Sequence, residues 1–386
     1  MAQATKKLFH WVSCSVAALL FFGGCGGGAS GGAPAAPGSG DGTGGTGGGA
    51  GSATGQCAEV PIFPARGFGE DNFDVIRQIR VDEATGDVYF SDLHELFVVR
   101  AGTGMAQKIA ALGDQFWLTS DSVLFPGGVA SGGQIPILLA TGRAGGDASV
   151  LVTTPDSTTA GDVFLKTEVV VVGDEVTWIT QHLHTASQTT VNTTYFVHKT
   201  SWRSPGAPQQ LYMGTRDLQG IVVAAGKLYV SEEIGDVNSF DYQQKIIDFG
   251  TGAVDAMTSQ DKYGGEVVAA DEASLIVSRG VDLMHPEAAG VFRVAMDGSG
   301  EARLLQYPVV LAFHIDSRAG TWVFPDKKDI GADEIVYAYS VPAGVRQVGC
   351  ANGANTTVHA ITLGPTDVFL SILRNETSAT ILRYPL

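Results

Sequence analysis

The chain has 386 residues, of which 44% are hydrophobic and only 17% charged, and 51 are glycine. Lys and Arg number 24 against 40 Asp and Glu, a net charge of −16, which excludes the basic footprint that nucleic-acid phosphates demand. The same balance argues against adhesion of a folded surface to anionic lipid headgroups, so membrane attachment would have to come from an anchor.

Residues 1–24 supply a candidate for that anchor. Lys6 and Lys7 form a short basic start, an apolar stretch runs from Leu8 to Phe22, and Gly23-Gly24 precede Cys25. This is the layout of a secretory signal peptide, too short for a membrane span. The small pair before a cysteine resembles the bacterial lipobox, with Phe22 standing where that motif usually carries Leu. Cys14 matches less well, because Trp11 and Val12 precede it and almost no apolar run would remain. The resemblance implies lipidation at Cys25 and a place in the bacterial cell envelope. Gly26 after the cysteine, in place of Asp, implies passage to the outer membrane.

Residues 25–56 then form a tether of almost pure Gly, Ala, Ser, Thr and Pro. Such a segment cannot bury enough apolar area to offset the entropy of ordering, and its mean reach is about 30 Å. Gly28-Ala29-Ser30-Gly31-Gly32 fits a nucleophile elbow and Gly40–Gly45 a dinucleotide loop, but neither has the strand before it and helix after it that the chemistry needs.

From Cys57 onward the pattern is strand, turn, strand, and residues 57–386 read as one all-β domain. Two phrases align without a gap, IRVDEATGDVYFSD (79–92) and FHIDSRAGTWVFPD (313–326), each with an Asp four residues before a Gly and a second Asp at its end. Weaker copies of this hairpin occur at 116–125, 169–179, 221–230, 267–277 and 359–370, making seven. A second element follows the hairpin at 96–109 and 291–305, the latter turning at Asp297-Gly298. An inner and an outer hairpin per unit predict a β-propeller of seven four-stranded blades. These Asp-x-x-x-Gly phrases resemble blades of NHL, YVTN-type and gluconolactonase-like propellers, a likeness that implies a fold and no activity.

The seventh unit has one further strand, near 379–385, before the chain ends. An open sheet edge invites wrong pairing, and Ala58–Pro64 is the expected donor of the missing strand. Of the four cysteines, Cys14 leaves with the signal and Cys25 takes the lipid, so Cys57 and Cys350 remain as a pair in an oxidising compartment. A Cys57–Cys350 bridge would tie the closing strand to blade six.

Candidate site residues come from mapping the hairpins onto one face. Asp92, His182, Glu232, Arg279 and Asp326 fall at second-strand ends, and Asp74, Asp114, Glu266, His314 and His359 at first-strand starts. Asp92, Glu232 and Asp326 are candidate oxygen ligands for Ca²⁺ or another divalent cation, the one cofactor class suggested. His182, His314 and His359 are candidate ligand-binding residues; His182 and His184, two apart, would face the same side on a strand, but they fall just past a second strand, in the long segment Gln181–Asn192. No EF-hand, HExxH helix, P-loop or Ser-His-Asp set occurs. The expected function is therefore an envelope-anchored, monomeric propeller that binds a protein, glycan or small molecule without catalysis. The alternative is a metal-dependent lactonase or esterase that uses channel carboxylates, for which Asn is scarce at the mapped positions.

Overall fold

The computed structural model describes residues 60–67 and most of 75–386, without residues 93, 112–114, 128–133, 156–161, 186–190, 234–241, 257–265, 271–273, 280–289, 297–299, 306–315, 319, 327–333, 341–343, 352–355 and 376. The described residues form seven antiparallel four-stranded sheets and contain no helix. Blades one to six take residues 78–111, 117–155, 162–214, 218–256, 266–305 and 316–351 in chain order. In each, the first strand is innermost, and outside blade two the first strands of neighbouring blades lie against one another around a central channel. All seven sequence hairpins become the inner pair of a blade. The blade-two pair is the shortest, with a first strand of only Trp117–Leu118.

Blade seven is built from both ends of the chain. Thr356–Leu363, Asp367–Arg374 and Ser378–Pro385 are its inner three strands, and Val60–Gly67 pairs antiparallel with the last of them, Val60 opposite Arg383 and Gly67 opposite Ser378. Pro61 and Pro64 lie in that closing strand, where the ladder shifts register between Pro61 and Phe63 and between Phe63 and Arg66. Proline cannot donate to a ladder, so an outermost strand is the place that tolerates it.

The core is divided among the seven blade junctions. Ile79, Phe90, Phe369 and Ile381 fill the junction of blades seven and one. Tyr89, Leu96, Phe116 and Phe125 fill the next, and Trp178, Leu138 and Trp202 the third. The remaining four junctions are filled in the same way. Period-2 alternation is the cause: one side of each strand packs on the preceding blade and the other on the following blade. Both faces are covered, which explains second strands such as Ser274–Arg279 that are buried at every position.

Polar clasps cross several junctions. The Phe116 amide donates to Gln78 Oε1 at 2.6 Å, linking blades one and two. The amides of Gly220 and Ile221 donate to Glu168 at 2.9 Å each, linking three and four. Ser231 Oγ accepts the Val267 amide at 3.4 Å, and Asp316 Oδ2 accepts from the Leu363 amide at 2.8 Å and the Thr362 hydroxyl at 2.9 Å. Gly220 sits at a bulge with φ of 65°, the left-handed region that glycine adopts without strain, and this turns its amide toward Glu168. Replacing Glu168 with Ala strands two amides, so ΔG of unfolding in urea should fall by roughly 2–4 kcal/mol, and Glu168→Gln should lose less. Equal stability of all three proteins would show the clasp to be idle.

Blade three departs from the others. Asp162–Val172, Glu175–Thr185 and Val191–Ser201 each have 11 residues, where most strands have 4 to 8. The fourth strand covers the third only from Tyr195 to Lys199. Thr185 pairs with Val191 at the far end, so among the described residues the sheet carries more rungs than its neighbours where second strands end.

Candidate functional site

The positions read from sequence as one acidic set occupy the same rank in three blades, the end of each second strand. Asp92 follows Val88–Ser91, is fully buried, and its Oδ1 accepts the amides of His94 at 2.7 Å and Glu95 at 2.6 Å. It caps the turn into the third strand, as Asp does by mimicking a backbone acceptor. Glu232 is buried toward blade three, where it accepts the Tyr212 hydroxyl at 2.7 Å and lies 3.1 Å from Lys245 Nζ. Burial, then the Glu232 carboxylate, push the Tyr212 hydroxyl well above the usual phenol value. Asp326 ends Thr321–Asp326 opposite Ile335, and its side chain lies outside the described residues. Arg279 fills the equivalent place in blade five, paired with Glu301 at 2.9 and 2.6 Å and stacked 4.4 Å over Phe292. Asp92 and Glu232 thus serve separate local contacts. Among the described residues, no three His, Cys, Asp or Glu side chains are grouped to share a metal ion. Glu266 starts its strand in blade five, while Asp74, Asp114 and His314 lie outside the described residues, as do Cys25 and Cys57.

A different carboxylate group lies between blades three and four. Burial pushes the Glu168 carboxyl up, the two amides oppose this, and the nearby Asp217 adds to it. Glu233 is also raised, by burial and by Asp217, with Arg216 acting the other way. Tyr195, which accepts a hydrogen bond from Gln181 Nε2 at 2.9 Å, is held protonated by burial and by Asp217. The hairpin mapping missed Glu168. Its signal was in the sequence all the same, as one acid placed directly before four valines in Asp162–Val172.

Blade three also settles where His182 and His184 go. The ladder sets Trp178 opposite His198, Thr180 opposite Phe196, His182 opposite Thr194 and His184 opposite Asn192. All eight share one side of the sheet, the side on which Trp178 packs against blade two. Ring centroids follow one another up this side: Trp178 to His198 at 5.5 Å, His198 to Phe196 at 5.9 Å, Phe196 to His182 at 6.4 Å and His182 to His184 at 6.4 Å. The stripe starts buried at Trp178, passes the half-buried His198, Phe196 and His182, and ends at the exposed His184. Trp178 Nε1 and Thr180 Oγ1 are buried along it with no hydrogen-bond partner. Burial lowers the His198 imidazole below its ordinary value. Flat rings beside hydroxyls and imidazoles can stack on one face of a ligand and hydrogen-bond its edge.

His359 lies elsewhere, on the inner strand of blade seven, at the extra residue where the ladder shifts between Val358 and Ala360. Burial, followed by the charge of Arg77, lowers its pKa to about 4, so the imidazole is neutral at physiological pH.

No family model matches the chain, and no curated protein matches it. Among solved structures, a puromycin-hydrolyzing peptidase of Mycobacterium tuberculosis superposes with a TM-score of 0.58 at 14% identity, covering 80% of this chain and 51% of that one. The acylaminoacyl peptidase of Pyrococcus horikoshii gives a TM-score of 0.54 at 8% identity, with 78% and 49% covered. The β-propeller domain of the Trilobed protease from Pyrococcus furiosus gives 0.38 at 7% identity, with 80% and 81% covered. The chain spans about half the length of the two peptidases, and at these identities the likeness is one of fold.

Proposed function

We propose that the protein is a lipid-anchored envelope propeller, built from NHL- or YVTN-like repeats, that binds a ligand without transforming it. The histidine and aromatic stripe of blade three is its contact surface. The observation that carries this reading is the pairing, in blade three, of long strands with ring-lined, part-exposed side chains. Binding residues concentrate where a rigid scaffold holds out an irregular extension. The described carboxylates of the alternative hydrolase reading, Asp92 and Glu232, are already engaged by backbone amides, Tyr212 and Lys245. The peptidase neighbours hydrolyse their substrates in chains about twice this length, and their activity is not carried over.

The test combines an array of soluble glycans and peptides with an esterase and lactone assay. The parent protein should mark a set of array ligands, and His182→Ala/His184→Ala should weaken them at least tenfold with an unchanged melting temperature. Turnover of a lactone or ester that depends on added Ca²⁺, Mn²⁺ or Zn²⁺ would overturn the non-catalytic reading.

The anchor is proposed on the sequence layout. Cys25→Ser should move the protein from the membrane fraction to the soluble envelope fraction, and unchanged retention would end the lipoprotein reading. We also propose the Cys57–Cys350 bridge. Supporting it, Cys350 is buried in blade six with its sulfur bonded and not free, and its carbonyl accepts the Tyr384 hydroxyl at 2.7 Å. Tyr384 neighbours Arg383, the partner of Val60, three residues after Cys57.

A further inference from the structure

The junction of blades seven and one holds a guanidinium, that of Arg77, that pairs with no carboxylate among the described residues. Arg77 directly precedes the inner strand Gln78–Val81, and its amide donates to the Ser91 carbonyl at 2.8 Å, which fixes its place in the ladder. Its charge acts on His359 of blade seven, whose inner strand Thr356–Leu363 lies against Gln78–Val81. There the Arg77 Nε is enclosed and without a hydrogen-bond partner. By contrast, Arg80, Arg100, Arg143, Arg203 and Arg279 each pair with a carboxylate. A chain with 16 excess negative charges has ample means to pair one more guanidinium, and a buried donor left without a partner is unfavourable.

Two polar groups enter the same junction from blade seven. Ser371 stands opposite Ala360, is 0% exposed, and its hydroxyl has no partner. It lies two residues from Phe369 on the same strand, so it points to the same side, toward blade one. His359 lies on the adjacent inner strand and feels the Arg77 charge. Ser371 also shows what the position is for in a sister blade, since Ser231, which like Ser371 stands three residues after the first buried apolar residue of its second strand, clasps the next blade through the Val267 amide. At this junction the hydroxyl remains available.

We propose that Arg77 and Ser371, with His359 beside them, form an oxyanion site that takes a carboxylate or phosphate group of a ligand at the inner edge of the blade-seven and blade-one junction. A guanidinium presents a planar donor fork that matches either group, and the hydroxyl adds a donor from the facing blade. Because the two donors come from opposite sides of the ring closure, the bound anion would bridge the first and last blades. The site is separate from the blade-three stripe and does not depend on the function proposed for it.

The test uses the full chain, with thermal unfolding followed in sodium phosphate, sodium acetate and sodium chloride at matched ionic strength. Phosphate or acetate should raise the melting temperature in a saturable way over chloride, and whichever does so names the group preferred. A ligand at 100 times its Kd raises the folding constant about 100-fold. Arg77→Gln should lower the anion affinity at least tenfold, and Ser371→Ala should lower it less. Because Arg77→Gln alters a buried position, the His359 ring resonances are followed in parallel. They should shift on phosphate or acetate titration in the parent, and Arg77→Lys should retain the shift at weaker affinity. His182→Ala/His184→Ala should leave the titration unchanged. No anion-specific rise, or the same rise in Arg77→Gln, would overturn the site.

Discussion

Removing Val60–Gly67 should abolish the cooperative unfolding transition of this protein or lower its midpoint by on the order of 10 °C or more. The eight residues are the fourth strand of blade seven, and they arrive from the opposite end of the chain. Without them Ser378–Pro385 becomes a sheet edge, although Ala379, Ile381, Leu382 and Tyr384 on it are at most 3% exposed in the closed ring. An edge of that composition pairs with other chains, so the truncated protein should also aggregate on heating. The proposed Cys57–Cys350 bridge would add to the same closure. In the chain-entropy model a loop of nearly three hundred residues gives about 5 kcal/mol, an upper estimate. Cys350→Ser should therefore cost less than the strand deletion but act in the same direction. Calorimetry of the three proteins orders them, and a truncated chain that melts within a degree or two of the parent would mean that closure contributes little.

The second large effect concerns acid. His359 has a pKa of about 4 in the folded chain against an ordinary value of 6.5. Between those values the unfolded chain binds the proton and the folded chain does not. Stability from this residue is therefore full above pH 6.5 and is lost as pH falls toward 4, by about 3 kcal/mol. His198, lowered by burial, acts in the same direction. Glu168 and Glu233 act oppositely: their raised values favour the folded state in acid and lose that contribution as pH rises. A His359→Gln variant isolates the histidine. Urea titrations at pH 7 and pH 4.5 should show the parent losing more stability than the variant between the two. Identical losses would mean that His359 is not buried neutral.

The fold was legible because the propeller repeats its own grammar. A short turn between two apolar strands recurs seven times, bearing an Asp in six of them, and two copies align without a gap, so a misread blade is corrected by its neighbours. The closing strand was legible from chemistry, since a seventh unit short of a strand needs a donor and AEVPIFP was the apolar segment left over. The site was much less so. Equal rank in two blades puts Asp92 and Asp326 at the same level, but successive blades are rotated about the channel, so equal rank does not bring side chains together. Asp92 turned instead to its own loop, and Glu232 to Tyr212 of the preceding blade. His182 and His184 share one side of Glu175–Thr185, as period 2 dictates for a strand, although the hairpin read from sequence, 169–179, ends before them. Phe196 and His198 complete the stripe from the next strand, and the register that joins them was not written in either segment. Arg77 escaped notice for a different reason. Nothing in a sequence marks which guanidinium nitrogen will be enclosed without a hydrogen-bond partner among the described residues.

The division of the core into seven junction packings has a consequence for how this molecule can change over time. A substitution in one junction is felt by two blades and is shielded from the other five, so changes in separate junctions should add nearly independently. A blade can then acquire extra rungs at its free end without a compensating change across the ring. Blade three, with strands of 11 residues beside a blade-two hairpin that begins with a strand of two, is what such freedom leaves behind. The same independence lets a lineage exchange one blade's extension for another and keep the closure intact.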